Sequence, residues 1–93
     1  MEREVQQVRW TEKAAEALED VYAFYFERSE TVATKVVAAI IEKAESISFP
    51  EQYQVDEIDP NCRRMFLGDY RILYRVEGTT VHIVDILCTK KQR

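Results

Sequence analysis

Three arginines, Arg64, Arg71 and Arg75, are the side chains of this 93-residue chain whose type and spacing offer chemistry. A guanidinium is planar, permanently charged and rich in N–H donors, so several on one surface suit a phosphate backbone or the acidic, apolar segment of another protein. Other candidates are weaker. His82 is the sole histidine, and beside Arg75 its charged form would be disfavoured, so it reads as a half-exposed strand residue rather than a general base. Asp85 falls among apolar residues and reads as a buried carboxylate satisfied by a tyrosine hydroxyl or an edge arginine. Two cysteines and one histidine are scattered without ligand spacing, so no metal site is expected.

The arginines share a surface only if the stretch from Cys62 to Cys88 is a three-stranded antiparallel meander. In Tyr70 to Val76, the residues Tyr70, Ile72, Tyr74 and Val76 alternate with Arg71, Leu73 and Arg75, one apolar face against one basic face. Gly68-Asp69 is a two-residue hairpin signal with glycine where φ > 0 is needed. Counting outward, Leu67 faces Tyr70, Met65 faces Ile72 and Arg63 faces Tyr74 on the apolar side. Phe66 faces Arg71, Arg64 faces Leu73 and Cys62 faces Arg75 on the other. A second two-residue turn at Gly78-Thr79 would add His82, Val84, Ile86 and Cys88 to the basic face, and Val81, Ile83, Asp85 and Leu87 to the core face. Glu77-Gly78-Thr79 fits a three-residue loop with a bulge equally well. On either count Cys62 and Cys88 lie on strands flanking the central one, about 9 to 10 Å apart. That exceeds the roughly 7 Å a disulfide tolerates, so free thiols are expected.

Charge is divided along the chain. Residues 1–61 carry six Lys/Arg against fourteen Asp/Glu, a balance of −8, while residues 62–93 carry seven against three, a balance of +4. The meander and its tail would draw an acidic or nucleic-acid partner, but the acidic remainder weakens long-range steering toward phosphate. No apolar run is long enough to span a membrane and no leader-like start is present, so a cytoplasmic protein with no membrane partner is expected.

Ahead of the meander, Glu4 to Arg9 predicts a short first strand. Thr11 offers an N-cap for a helix ending near Arg28, with Ala14, Leu18, Val21, Tyr22 and Tyr25 on one face. Ser29 caps a second helix that starts at Glu30 and ends before Pro50, with Ala33, Val36, Val37, Ile40, Ala44 and Ile47 as its stripe. So short a link implies an antiparallel hairpin, which must bury its stripe on the meander's apolar face. Residues 51–61 form a polar, acidic connection, with Asp59-Pro60 as a turn and Tyr53 and Val55 as anchors. The expectation is one α+β domain over residues 1–93: an N-terminal strand, an antiparallel helix hairpin and a three-stranded antiparallel meander in two layers. Its far sheet face is left open, presenting Arg64, Phe66, Arg71, Leu73 and Arg75 as a partner-binding surface.

A strand, a helix hairpin, then RRMFLGDYRILYRVEGTTVHIVDIL and a basic end resemble the RelE/ParE superfamily of bacterial toxins from type II toxin-antitoxin pairs. The resemblance runs from Val8-Arg9-Trp10-Thr11 through Pro50 to the final lysines. Its most specific part is Arg63-Arg64 followed by Gly68-Asp69-Tyr70-Arg71-Ile72-Leu73-Tyr74. It implies a growth-inhibiting toxin held by a cognate antitoxin, with no small-molecule cofactor, and two possible mechanisms. RelE-like members cut mRNA in the ribosomal A site, using basic residues on the phosphate and commonly a C-terminal tyrosine or histidine as acid or base. Arg71 and Lys91 match basic positions of that branch and Arg63 or Arg64 falls near its upstream basic positions, so that Arg71, Arg64 and Lys91 would be catalytic there, but no tyrosine or histidine follows Cys88. ParE-like members keep the fold without a ribonuclease centre and poison DNA gyrase. The acidic overall charge and the missing proton-transfer partner favour the ParE-like reading. The alternatives are a RelE-like ribosome-dependent endoribonuclease and a degenerate member that only binds its antitoxin.

Overall fold

The computed structural model describes residues 4–89, so Lys91 lies outside the described residues. The element order is β1 (Gln7–Trp10), α1 (Glu12–Phe26), α2 (Glu30–Ala44), β2 (Arg63–Leu67), β3 (Tyr70–Glu77) and β4 (Thr80–Cys88). Thr11 and Ser29 cap the helices as expected: each hydroxyl accepts from the backbone N–H three residues on, Ala14 at 3.1 Å and Val32 at 3.2 Å. α1 stops two residues before Arg28 because Ser29 takes an extended backbone to cap α2, while Arg28 and Ser29 both donate to the Tyr25 carbonyl.

The four strands form one sheet in the order β1-β4-β3-β2. β1 lies parallel to β4 and makes the sheet mixed, a placement the local pattern of residues 4–9 does not reveal. The strand also begins later than Glu4, since Val5 donates to the Ser48 carbonyl and Gln6 to that of Thr79. The β2–β3 register matches the count made from the sequence, pair for pair from Arg63↔Tyr74 to Leu67↔Tyr70. The two turns place Gly68 at φ 57 and Gly78 at φ 62, a region that favours glycine. The second turn is the two-residue Gly78-Thr79, with Glu77 opposite Thr80.

The β3–β4 ladder departs from expectation past its middle. Tyr74 pairs with Ile83 but Leu73 pairs with Asp85, so Val84 is an extra residue on β4. One inserted residue exchanges the faces of everything after it. Ile86 and Cys88 therefore stand opposite Ile72 and Tyr70 on the core face, not among the arginines, while Asp85 and Leu87 stand opposite Leu73 and Arg71 on the far face. The bulge sits where β1 ends and α1 starts. Thr11 donates its backbone N–H and its hydroxyl to the Ile83 carbonyl, at 3.0 and 2.9 Å, and its hydroxyl also lies 3.2 Å from the Val84 carbonyl.

Both helices pack on one face of the sheet. There Ala14, Val21, Ile40, Ala44 and Ile47 meet Met65, Ile72, Tyr74, Val81, Ile83 and Ile86. Tyr74 is wholly buried, and its hydroxyl donates to the Pro50 carbonyl at 3.0 Å and accepts from the Tyr53 N–H at 3.3 Å. It thereby fixes the start of the 51–62 connection. No disulfide joins the two cysteines, as expected: Cys62 is buried and Cys88 exposed. No described helix is long and apolar enough to cross a membrane.

Candidate functional site

Alternation on β2 and β3 brings Arg64, Phe66, Arg71, Leu73 and Arg75 to the sheet face away from the helices, with Phe66 opposite Arg71 and Arg64 opposite Leu73. Their surroundings differ. At the outer edge, the Arg64 guanidinium lies 5.5 Å from the centre of the Phe66 ring, which is 53% exposed. That is a cation–π contact held open to solvent. The same guanidinium donates to the Val55 carbonyl at 2.6 Å and to the Gln54 side chain at 3.3 Å. Its orientation is set by the connection running alongside β2, where Val55 bridges Arg63 and the Arg64 N–H donates to the Gln54 carbonyl.

The face is not wholly open, because this connection folds over its middle. Its anchor is Asp56, which the sequence did not single out, while Val55 is 46% exposed rather than buried. The Asp56 side chain is 1% exposed and places Oδ1 3.7 Å from Nε of Arg71, whose side chain is 20% exposed. Asp56 Oδ2 accepts from the backbone N–H groups of Ile58 at 3.1 Å and Asp59 at 2.9 Å. The one legible signal was an acid three residues before the Asp59-Pro60 turn, a spacing at which an Asx side chain caps its own loop. Leu73 is buried at 6% exposure, so it supports the face rather than adding apolar contact area. Cys62 is buried too, and its thiol lies 3.6 Å from Asp59 Oδ2. Burial first, then the Asp59 carboxylate, pushes that thiol's pKa up, the opposite of what a nucleophile needs.

Arg75 is exposed opposite His82, and His82 Nε2 lies 3.0 Å from Glu77 Oε1. Asp85 is not a core carboxylate: the bulge carries it to the far face, where Lys13 lies 3.4 Å from Oδ2 and Oδ1 accepts from the Ile86 N–H at 2.8 Å. Asp56, Asp85 and Glu77 thus set carboxylates among the basic groups of this face. Arg64 and Arg71 are brought onto one surface, but each already has partners within the chain, and Lys91, the third basic residue of the RelE-like reading, lies outside the described residues.

On the helix side, a cleft of about 480 Å³ opens between the second half of α1 and the ends of β3 and β4. The Tyr70 hydroxyl donates to that of Tyr25 at 3.3 Å there, and burial followed by that hydrogen bond raises the Tyr70 pKa.

A family model described as the ParE toxin of type II toxin-antitoxin systems, parDE, matches residues 8–93. Among solved structures, the chromosomal ParDE toxin-antitoxin system from P. aeruginosa contains a chain 24% identical, with TM-score 0.79, over 92% of this chain and 98% of that one. The RelBE2 toxin-antitoxin complex from Mycobacterium tuberculosis contains one 21% identical, with TM-score 0.70, over 97% and 100%. No curated protein sequence matches. The two structures share this fold of strand, helix pair and three-stranded sheet, and the family match spans all but the first seven residues. The chain belongs to the ParE toxin family of type II toxin-antitoxin systems.

Proposed function

We propose that this toxin acts by binding a protein target through its arginine face, in the ParE manner and with DNA gyrase as that target, rather than by cutting RNA. The observation that carries this reading is how the arginines are used. Arg71 meets the buried carboxylate of Asp56 and Arg64 is bound to a loop carbonyl, while the exposed Phe66 stacks beneath Arg64. A scissile phosphate needs guanidinium groups aimed at open space. An aromatic ring with a flanking guanidinium suits the centre of a protein interface instead. Both similar solved structures come from toxin-antitoxin systems, ParDE and RelBE2, which supports a cognate antitoxin as a second partner.

The ribosome-dependent endoribonuclease remains the competing reading, because the RelBE2 chain shares the fold over its whole length. In it Arg64, Arg71 and Lys91 would neutralise the phosphate. Induction of the toxin alone should arrest growth, and the small gene beside it should relieve the arrest. A supercoiling assay with purified gyrase should show inhibition, while primer extension on mRNA with added ribosomes should show no new ends. Ribosome-dependent cuts that disappear in Arg71→Ala would reverse the assignment.

A further inference from the structure

We propose that Asp56 is the residue that keeps this face from binding the phosphodiester backbone of RNA, by filling as an internal counter-ion the anion position that Arg71 would otherwise present. The Asp56 carboxylate sits among one guanidinium, 3.7 Å from Oδ1, and two backbone N–H groups on Oδ2. Those are the groups a phosphate oxygen would meet. Oδ1 of Asp56 and Nε of Arg71 are both buried with no hydrogen-bond partner, so each answers the other's charge. The loop is pinned on either side of Asp56. The Asp56 N–H donates to the Cys62 carbonyl at 2.8 Å, and Arg64 holds the Val55 carbonyl at 2.6 Å. The carboxylate is therefore a fixed part of the face, and Asp56 is a specificity-determining residue that favours protein partners over nucleic acid. This goes beyond the proposed function and holds whichever protein the face meets.

The test is fluorescence anisotropy of a labelled oligouridylate titrated with the intact chain and its variants. Asp56→Asn should tighten binding about tenfold at low salt and steepen its salt dependence by about one counterion. Glu57→Gln makes the same change in net charge on the same loop without touching the pair, and should change affinity less than about threefold. Asp56→Asn combined with Arg71→Ala should return to the parent affinity. Asp56→Ser, which also keeps an acceptor for the loop N–H groups, serves in the same comparison if Asp56→Asn unfolds the chain. The proposal is overturned if the Asp56 variant binds no tighter than Glu57→Gln, or if its gain survives loss of Arg71. Growth arrest plays no part in these measurements, so the result is separate from the identity of the toxin's target.

Discussion

Arg64 and Phe66 owe their reach to a few contacts. The guanidinium is held by the Val55 carbonyl above a ring that is more than half exposed. Such an aromatic–arginine pair concentrates binding energy. Phe66→Ala and Arg64→Ala should each raise the dissociation constant for the protein target about tenfold or more while leaving thermal stability within about 0.5 kcal/mol for Phe66→Ala. Titration by isothermal calorimetry beside a melting curve separates the two effects. Asp56 behaves the other way. Asp56→Ala removes the acceptor for two loop N–H groups and leaves Arg71 without its counter-charge, so it should cost about 2 to 4 kcal/mol in a urea melt. The figure sits below that for a fully buried pair because the Arg71 side chain is 20% exposed.

At the scale of elements, the bulge at Val84 decides which residues of β4 reach the face. Were Val84 paired rather than bulged, Asp85 would enter the core beneath α1 and α2, and an unpaired carboxylate there is costly. Deleting Val84, the extra residue, should instead restore plain alternation with Asp85 still opposite Leu73 and Ile86 still in the core, so the chain should keep a cooperative unfolding transition by circular dichroism, at a midpoint lowered by the lost fit of Thr11 to the bulge. Thr11 joins two elements at that point, capping α1 and donating to the Ile83 carbonyl. Thr11→Ala should cost about 1 to 2 kcal/mol, and Thr11→Ser, which keeps the hydroxyl, should recover most of it.

At the scale of the whole molecule, three groups among the described residues resist ionisation when folded. Burial is the first cause in each case, for the Cys62 thiol and for the Tyr70 and Tyr74 hydroxyls. Raised folded pKa values mean stability that is fully present below the ordinary values and lost as pH rises, because the unfolded chain releases those protons first. The decline should begin above about pH 8.5 through Cys62 and steepen above about pH 10 through the tyrosines. Urea midpoints followed across that range should fall. Cys62→Ala should remove the early part of the loss and leave the tyrosine part in place.

Much of this was written locally. Alternation of apolar and charged residues gave β2, β3 and their faces, and the two-residue Gly68-Asp69 turn then fixed the register that sets Met65 opposite Ile72 and Leu67 opposite Tyr70. Thr11 and Ser29 marked both helices through cap chemistry that needs only neighbouring residues, and the YRILY run with its arginines carried the family resemblance. What the sequence could not give depends on groups distant along the chain. β1 joins β4 as a parallel neighbour, with more than sixty residues between paired positions, and no local pattern specifies that partner. The bulge follows from β4 serving β3 on one edge and β1 with Thr11 on the other; its trace in the sequence was the awkward carboxylate of Asp85. The pairing of Asp56 with Arg71 exists only once the connection folds back over the sheet. That contact turned an arginine face expected to be open into one whose central charge is already answered from within.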